Sequence, residues 1–158
     1  MADPLRDMVE LARTPAELEV PATLAALGDI ASFVLRLAGR AGLDKGATYR
    51  IRLAVDELAT NIVMHGYRGG GGRITVRGRS GPGRLQIVLT DSAPAFDPVA
   101  GRLPPAPGIP PERRRIGGLG IHLALTSVDE YGYARRDGRN ISTLTVTAEG
   151  TDPCPPRP

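Results

Sequence analysis

Three clusters of side chains in this chain could do chemistry. The first is Glu57, Asn61 and His65 in the string DELATNIVMHGY. A spacing of four keeps all three in one polar stripe of a helix, with Ile51, Val55, Leu58 and Ile62 on the opposite stripe. A carboxylate one turn from a carboxamide suits a hard metal ion and its bound water or hydroxyl. Asparagine is a poor helix former, so its mid-helix place wants a reason. On these residues alone, the plainer reading of an amphipathic helix with a wet face is still preferred. The second cluster is Asp91, in LQIVLTDSAPAFDP, directly after an apolar strand. A carboxylate there can accept a hydrogen bond from an exocyclic amine, although by itself it reads as a turn-forming aspartate. The third is RIGGLGIH, residues 115–122, where Gly117, Gly118 and Gly120 precede an apolar helical stretch and Arg113, Arg114 and Arg115 supply positive charge. Small residues at a helix start let backbone N–H groups approach a phosphate. A lone Gly-Gly-x-Gly is weak evidence. It is neither a Walker A loop nor a dinucleotide fingerprint, because no Gly-Lys-Ser/Thr follows and no strand precedes it.

The elements that must position these residues follow from periodicity and punctuation. Leu18 to Val20 reads as a short strand ending at Pro21. From 23 to 40, Leu24, Leu27, Ile30, Ala31, Val34, Leu35 and Ala38 recur at helical spacing, and Gly42 ends that helix. A second helix runs from about Asp44 or Thr48 to His65, where Gly66 stops it. Residues 73–78 and 85–90 read as strands about a Gly81-Pro82-Gly83 turn, and 118–129 as a helix. Residues 131–136 and 141–148 form a closing hairpin about Asp137-Gly138. Helices first, then a hairpin, a helix and a hairpin predict an α+β fold, with helices on one face of a mostly antiparallel sheet.

The chain has 158 residues, enough for one core and too few for two good ones. Hydrophobic residues make up 41% and charged residues 23%, which excludes a disordered composition. No apolar run reaches the roughly 18 residues of a membrane span, no signal peptide is read at the start, and the single Cys154 makes no internal disulfide, so a cytoplasmic location is expected. Net charge is +3, and Lys45 is the only lysine. Residues 66–90 hold Arg68, Arg73, Arg77, Arg79 and Arg84 with no acid, yet aromatics are 4% and tryptophan is absent. That leaves little for base stacking, so a solvated strand face is preferred over nucleic-acid binding. Seven prolines lie from Pro94 to Pro111 and four from Pro153 to Pro158. The first group predicts a lid loop over about 94–116, the second a tail over 151–158, and 1–150 is one domain.

Each cluster is weak alone, but their order is specific. Glu-x3-Asn on a helix, an aspartate at a strand end, a lid and a Gly-rich helix start resemble the N, G1 and G2 boxes of the GHKL ATPases. LAVDELATNIVMHGY, DSAPAFDP and RIGGLGIHL, with DGRNISTLTV at the close, are similar to the bacterial anti-sigma-factor serine/threonine kinases. The likeness runs over residues 17 to 148.

That resemblance implies a Bergerat-type two-layer α/β sandwich binding ATP and Mg²⁺. Asn61 would ligate Mg²⁺, and Glu57 would be the catalytic base for in-line phosphoryl transfer. Asp91 would bind the adenine amine, with Thr143 assisting through water. Gly117, Gly118, Leu119 and Gly120 would offer backbone to phosphate, with Arg115 a further contact. His65 is structural or lid-contacting before catalytic. The substrate would be a serine or threonine of a small STAS-type anti-sigma-factor antagonist, the inhibited target an alternative sigma factor, and the state a homodimer with no direct nucleic acid and no membrane. The alternative is a catalytically inactive, nucleotide-dependent binding regulator of the same fold. A detached histidine-kinase catalytic domain is disfavoured, since neither His65 nor His122 is followed by the expected acid and helical hairpin. One departure stands out. The first glycine box, usually Asp-x-Gly-x-Gly, here reads Asp91-Ser92-Ala93-Pro94-Ala95. An alanine forced left-handed costs roughly 1–2 kcal/mol, but Pro94 biases Ala93 toward extended backbone, so this turn is expected to be built differently.

Overall fold

The computed structural model describes residues 15–95 and 118–148. The chain opens with β1 (Ala16–Pro21), a single 3₁₀ turn over Leu24–Ala26, and α1 (Leu27–Arg40). Gly42 takes φ +65°, which closes α1, and Asp44 caps α2 (Lys45–Asn61) by accepting a 2.7 Å hydrogen bond from the Ala47 N–H. A π-helical turn (Ile62–Gly66) extends α2. Then come β2 (Arg73–Gly81), β3 (Arg84–Asp91), α3 (Gly118–Ser127), β4 (Glu130–Arg136) and β5 (Arg139–Thr147). Both hairpin turns have the backbone their residues demand. Gly83 takes φ +69° after Pro82, and Asp137 and Gly138 take +51° and +73°.

The strands form one sheet in the order β1-β2-β3-β5-β4, antiparallel at every pairing. Period-2 alternation gives it two faces. The inner face carries Val20, Ile74, Val76, Leu85, Ile87, Leu89, Leu144 and Val146, all buried. It meets Ile30, Phe33, Val34 and Leu37 of α1, Ile51, Val55 and Leu58 of α2, and Ile121, Ala124 and Leu125 of α3 in one continuous core. The fold is therefore the expected α+β layer, with a sheet antiparallel throughout.

The structure corrects the first helix. Its buried stripe runs Ala26, Ile30, Phe33, Val34, Leu37, Ala38 and Ala41, while Leu24 is 57% and Leu35 42% exposed. The 3₁₀ turn changes the angular step before the α-helix begins, so Leu24 falls off the phase of the later residues. The α2 stripe is as its spacing requires, with Ile51, Val55, Leu58 and Ile62 buried.

The outer face holds the arginines. Arg77 pairs with Glu17 and Arg73 with Glu19 across the β1–β2 register, and Arg84 reaches Glu130 at 3.9 Å. The apparent basic stripe of 68–84 is thus partly neutralised by acids on other strands of the sheet, which sequence order separates and the sheet brings together. Most of the lid over 94–116, and the tail over 151–158, lie outside the described residues. Among the described residues, no helix is long and apolar enough to cross a membrane.

Candidate active site

The inner face of the sheet is apolar along most of β3, and then it changes. After Leu85, Ile87 and Leu89, the next inward position is Asp91, and its cross-strand partner is Asn140. One step along β5, Ser142 faces inward opposite Leu89. These three polar side chains are buried and form one wall of a pocket. The end of α2 forms the other wall with Leu58, Asn61 and Ile62, and Gly66, Ala93 and Pro94 complete it. Two of the residues singled out by sequence, Asn61 and Asp91, which stand 30 positions apart, therefore line the same pocket.

The π turn shapes this pocket. The Tyr67 N–H bonds to the Ile62 carbonyl five residues back, at 2.9 Å. Such wide turns recur at functional sites because they re-aim the residues around them. Here Gly66 lies against the loop that follows β3, and a Cβ added to Gly66 would stand 3.0 Å from the Ala93 Cβ. Tyr67 then clamps that loop. Its hydroxyl donates to the Arg73 carbonyl (2.9 Å) and accepts from the Ser92 N–H (2.7 Å). Gly72 leaves the space for the ring, since a Cβ there would overlap it.

The substituted glycine box is unstrained. Among the described residues, the non-glycine positions with positive φ are Arg68 and Asp137, so neither Ala93 nor Ala95 is left-handed. Ala93 is buried and its N–H donates to Asp91 Oδ1 at 3.0 Å, while Ala95 is exposed. Asn140 holds the same carboxylate from the other side, donating from Nδ2 to Asp91 Oδ1 at 2.9 Å. Burial pushes the Asp91 carboxyl above its ordinary value; the Asn140 and Ala93 hydrogen bonds and the Arg135 charge pull it back without cancelling the effect. Asp91 Oδ2 takes no hydrogen bond from the described residues.

Glu57 lies one turn before Asn61, beside the start of α3. A Cβ added to Gly120 would stand 3.1 Å from Glu57 Oε2. Gly120 thus lets the first turn of α3 approach the carboxylate closely. Gly118 and Leu119 belong to that same turn. Gly117 and Arg115 lie outside the described residues. His65 is exposed in the π turn. Among the described residues, Thr143 is an expected site residue that the sheet turns away. It pairs with Val88, and alternation puts it on the outer face, while Asn140 and Ser142 take the inward places. The sequence reading missed Asn140, Ser142 and Tyr67. The signal for the first two was the period of β5 counted back from Leu144.

Among the described residues, no group of three His, Cys, Asp or Glu side chains could hold a metal on its own. The donors present are the Asn61 carboxamide and the Glu57 carboxylate. A sparse oxygen set of this kind fits Mg²⁺, which protein sites hold through one or two side chains together with phosphates.

A one-sided antiparallel sheet under helices, with an α2 Glu-x3-Asn and an inward aspartate at a strand end, is the arrangement that the resemblance to the GHKL ATPases implies. The family model for the histidine kinase-like ATPase domain matches residues 20–146, and the chain belongs to that family. Serine-protein kinases are among the proteins it is similar to. It is 34% identical over 109 residues to the serine-protein kinase RsbW of Listeria innocua, covering 66% of this chain and 69% of that one. Against RsbW of Halalkalibacterium halodurans it is 33% identical over 117 residues, 72% of each chain. Against RsbW of Bacillus subtilis it is 27% identical over 141 residues, covering 86% and 88%. In three dimensions it is similar to the crystal structure of the RsbU and RsbW domains of Rv1364c from Mycobacterium tuberculosis, with a TM-score of 0.57 and 21% identity. That match covers 85% of this chain and 32% of the longer one, and it shows the shared fold.

Proposed function

We propose that this chain is an ATP-dependent serine/threonine protein kinase that acts as an anti-sigma factor. In this reading it holds an alternative sigma factor and phosphorylates a serine or threonine of a small STAS-type antagonist. The observation that carries the reading is that Asn61 and Asp91 line one pocket, with Glu57 one helical turn before Asn61 and close against Gly120 of α3. The RsbW relatives support the reaction type.

The roles divide by position. Asp91, whose Oδ2 takes no hydrogen bond from the described residues, would accept from the adenine amine. Asn61 would hold Mg²⁺, which when bound with ATP supplies charge neutralisation among the phosphates. The first turn of α3 would present backbone N–H groups to phosphate oxygens, with Gly120 keeping the approach clear of a Cβ. Glu57 would hold the incoming hydroxyl and take its proton as the phosphoryl group passes to that oxygen and leaves ADP. A phosphate adds about −1.5 to −2 charges to the antagonist. That charge would weaken its docking and leave this protein free to hold the sigma factor again. A homodimer is part of the same proposal.

Calorimetric titration with ATP, with and without Mg²⁺, tests the site. Mg²⁺-dependent binding that is lost in Asn61→Ala is the expected result. Glu57→Gln should bind ATP within about threefold of wild type and lose at least 100-fold in transfer to the antagonist. Transfer that survives this substitution would remove the base assignment, and wild-type protein that binds ATP yet transfers no phosphate would leave a nucleotide-gated binding regulator.

A further inference from the structure

Asn140 lies in the closing DGRNISTLTV stretch but was assigned no role there, yet among the described residues its side chain has the densest set of hydrogen bonds in the pocket. Its Oδ1 accepts from the Tyr133 hydroxyl at 2.6 Å and from Arg135 at 2.8 Å. Its Nδ2 faces Asp91 Oδ1 (2.9 Å), the Ala93 carbonyl (3.1 Å) and the Pro94 carbonyl (3.3 Å). The orientation of this amide is set by chemistry. A guanidinium can only donate, so the oxygen must face Arg135 and the nitrogen must face the carboxylate and the carbonyls. Arg135 also donates to the Ala93 carbonyl at 3.2 Å, so β4, β5 and the loop after β3 are joined through one side chain.

The consequence falls on Asp91. With the Ala93 N–H and Asn140 Nδ2 both on Oδ1, the carboxylate is oriented from one side, and among the described residues nothing donates to Oδ2, the oxygen that would face a ligand. The loop carbonyls of Ala93 and Pro94 are held by the same amide, in the stretch where Gly residues are replaced by Ala93 and Ala95. We propose that Asn140 is a positioning residue for base recognition: it aims Asp91 Oδ2 into the pocket and shapes the alanine-substituted loop from behind. This rests on the assignment of Asp91 to an exocyclic amine, and it adds to that assignment the residue that makes it selective.

The experiment compares ATP with inosine triphosphate, whose base carries a carbonyl in place of the amine, on the full chain. Wild type should prefer ATP, and Asp91→Asn should erase the preference. Asn140→Ala should reduce it about tenfold, the scale of one charge-assisted hydrogen bond, through weaker ATP binding with inosine triphosphate binding little changed. Asn140→Asp keeps the size but turns the donor facing Asp91 into an acceptor, so it should reduce the preference further. Tyr133→Phe removes one of the two donors on Asn140 Oδ1, should give a smaller loss of the same kind, and carries the test if the Asn140 variants fail to fold. Full preference in Asn140→Ala, or equal losses for both nucleotides, would overturn the proposal while leaving the Asp91 assignment standing. A wild type indifferent to the base would overturn both.

Discussion

At the scale of single residues, the site turns on how closely small side chains approach one another. Ala93 stands where a glycine is expected, but its backbone is not left-handed, and its Cβ fills the space that Gly66 leaves open. Restoring a glycine would therefore relieve no strain. Ala93→Gly should leave ATP affinity within about twofold or weaken it, because it removes a packed methyl and loosens the loop; calorimetry that found a large gain would show that the alanine is the fault in the turn. The converse change is more severe. Gly66→Ala would set two Cβ atoms 3.0 Å apart, and relieving the clash must move either the π turn or the Asp91 loop. Overpacking of this kind costs about 1–3 kcal/mol, so a lowered denaturant midpoint with weakened ATP binding is expected.

At the scale of elements, the pocket depends on two pieces of backbone that the sequence half discloses. The four-residue spacing of Glu57 and Asn61 was legible, because an α-helix has one period and α2 keeps it through Asn61. The π turn was not, because Ile62 to His65 read as ordinary helix and Gly66 as its stop, and no residue marks the wider turn. The closing hairpin was legible from Asp-Gly, which tolerates the positive φ of a two-residue turn. Its register decided something finer. A one-residue slip along β5 would turn Thr143 inward in place of Ser142 and move Asn140 to the outer face, and only pairing with β3 fixes that parity. Tyr67 ties these elements together, joining the end of the π turn to both Arg73 of β2 and Ser92 beyond β3. Tyr67→Phe leaves the ring in place and removes both bonds. It should cost about 1–2 kcal/mol in denaturant unfolding and speed amide exchange at Ser92, whereas exchange elsewhere in β3 should change little. Unaltered protection at Ser92 would show that Asn140 and Arg135 hold the loop without Tyr67.

At the scale of the whole molecule, two carboxylates pull stability in opposite directions with pH, and only one of them belongs to the site. Asp91 is buried, and this raises its pKa above the ordinary 3.8 even though Asn140, Ala93 and Arg135 favour the charged form. The native state thus holds its proton more tightly than the unfolded chain does. Between 3.8 and the raised folded value, stability falls as pH rises, and above that window the cost of ionised Asp91 is fully present. Asp129 is the reverse case. Its partial burial raises the pKa, but the Thr147 N–H at 2.7 Å, Arg50 and the Thr147 hydroxyl outweigh it and set the folded value below 3.8. Its contribution is present above 3.8 and is lost as pH falls through the lower folded value. It acts where Arg50 of α2 donates to the Ser127 carbonyl at 3.0 Å and the Thr147 carbonyl at 3.3 Å, fastening the end of α3 to the end of β5. Charge-neutral substitutions should therefore separate function from stability. Asp91→Asn keeps an oxygen for the Ala93 and Asn140 donors while removing the buried charge, so at pH 7 the nucleotide-free protein should be more stable than wild type and bind ATP worse. Asp129→Asn should be less stable at pH 7 and unchanged in affinity. Both differences should shrink as pH falls below the ordinary carboxylate range. Denaturant midpoints measured from pH 3 to pH 7 on the three proteins check this. An Asp91→Asn variant less stable than wild type at neutral pH would mean that the carboxylate is held for the fold, and that its burial against an open Oδ2 is no mark of a ligand site.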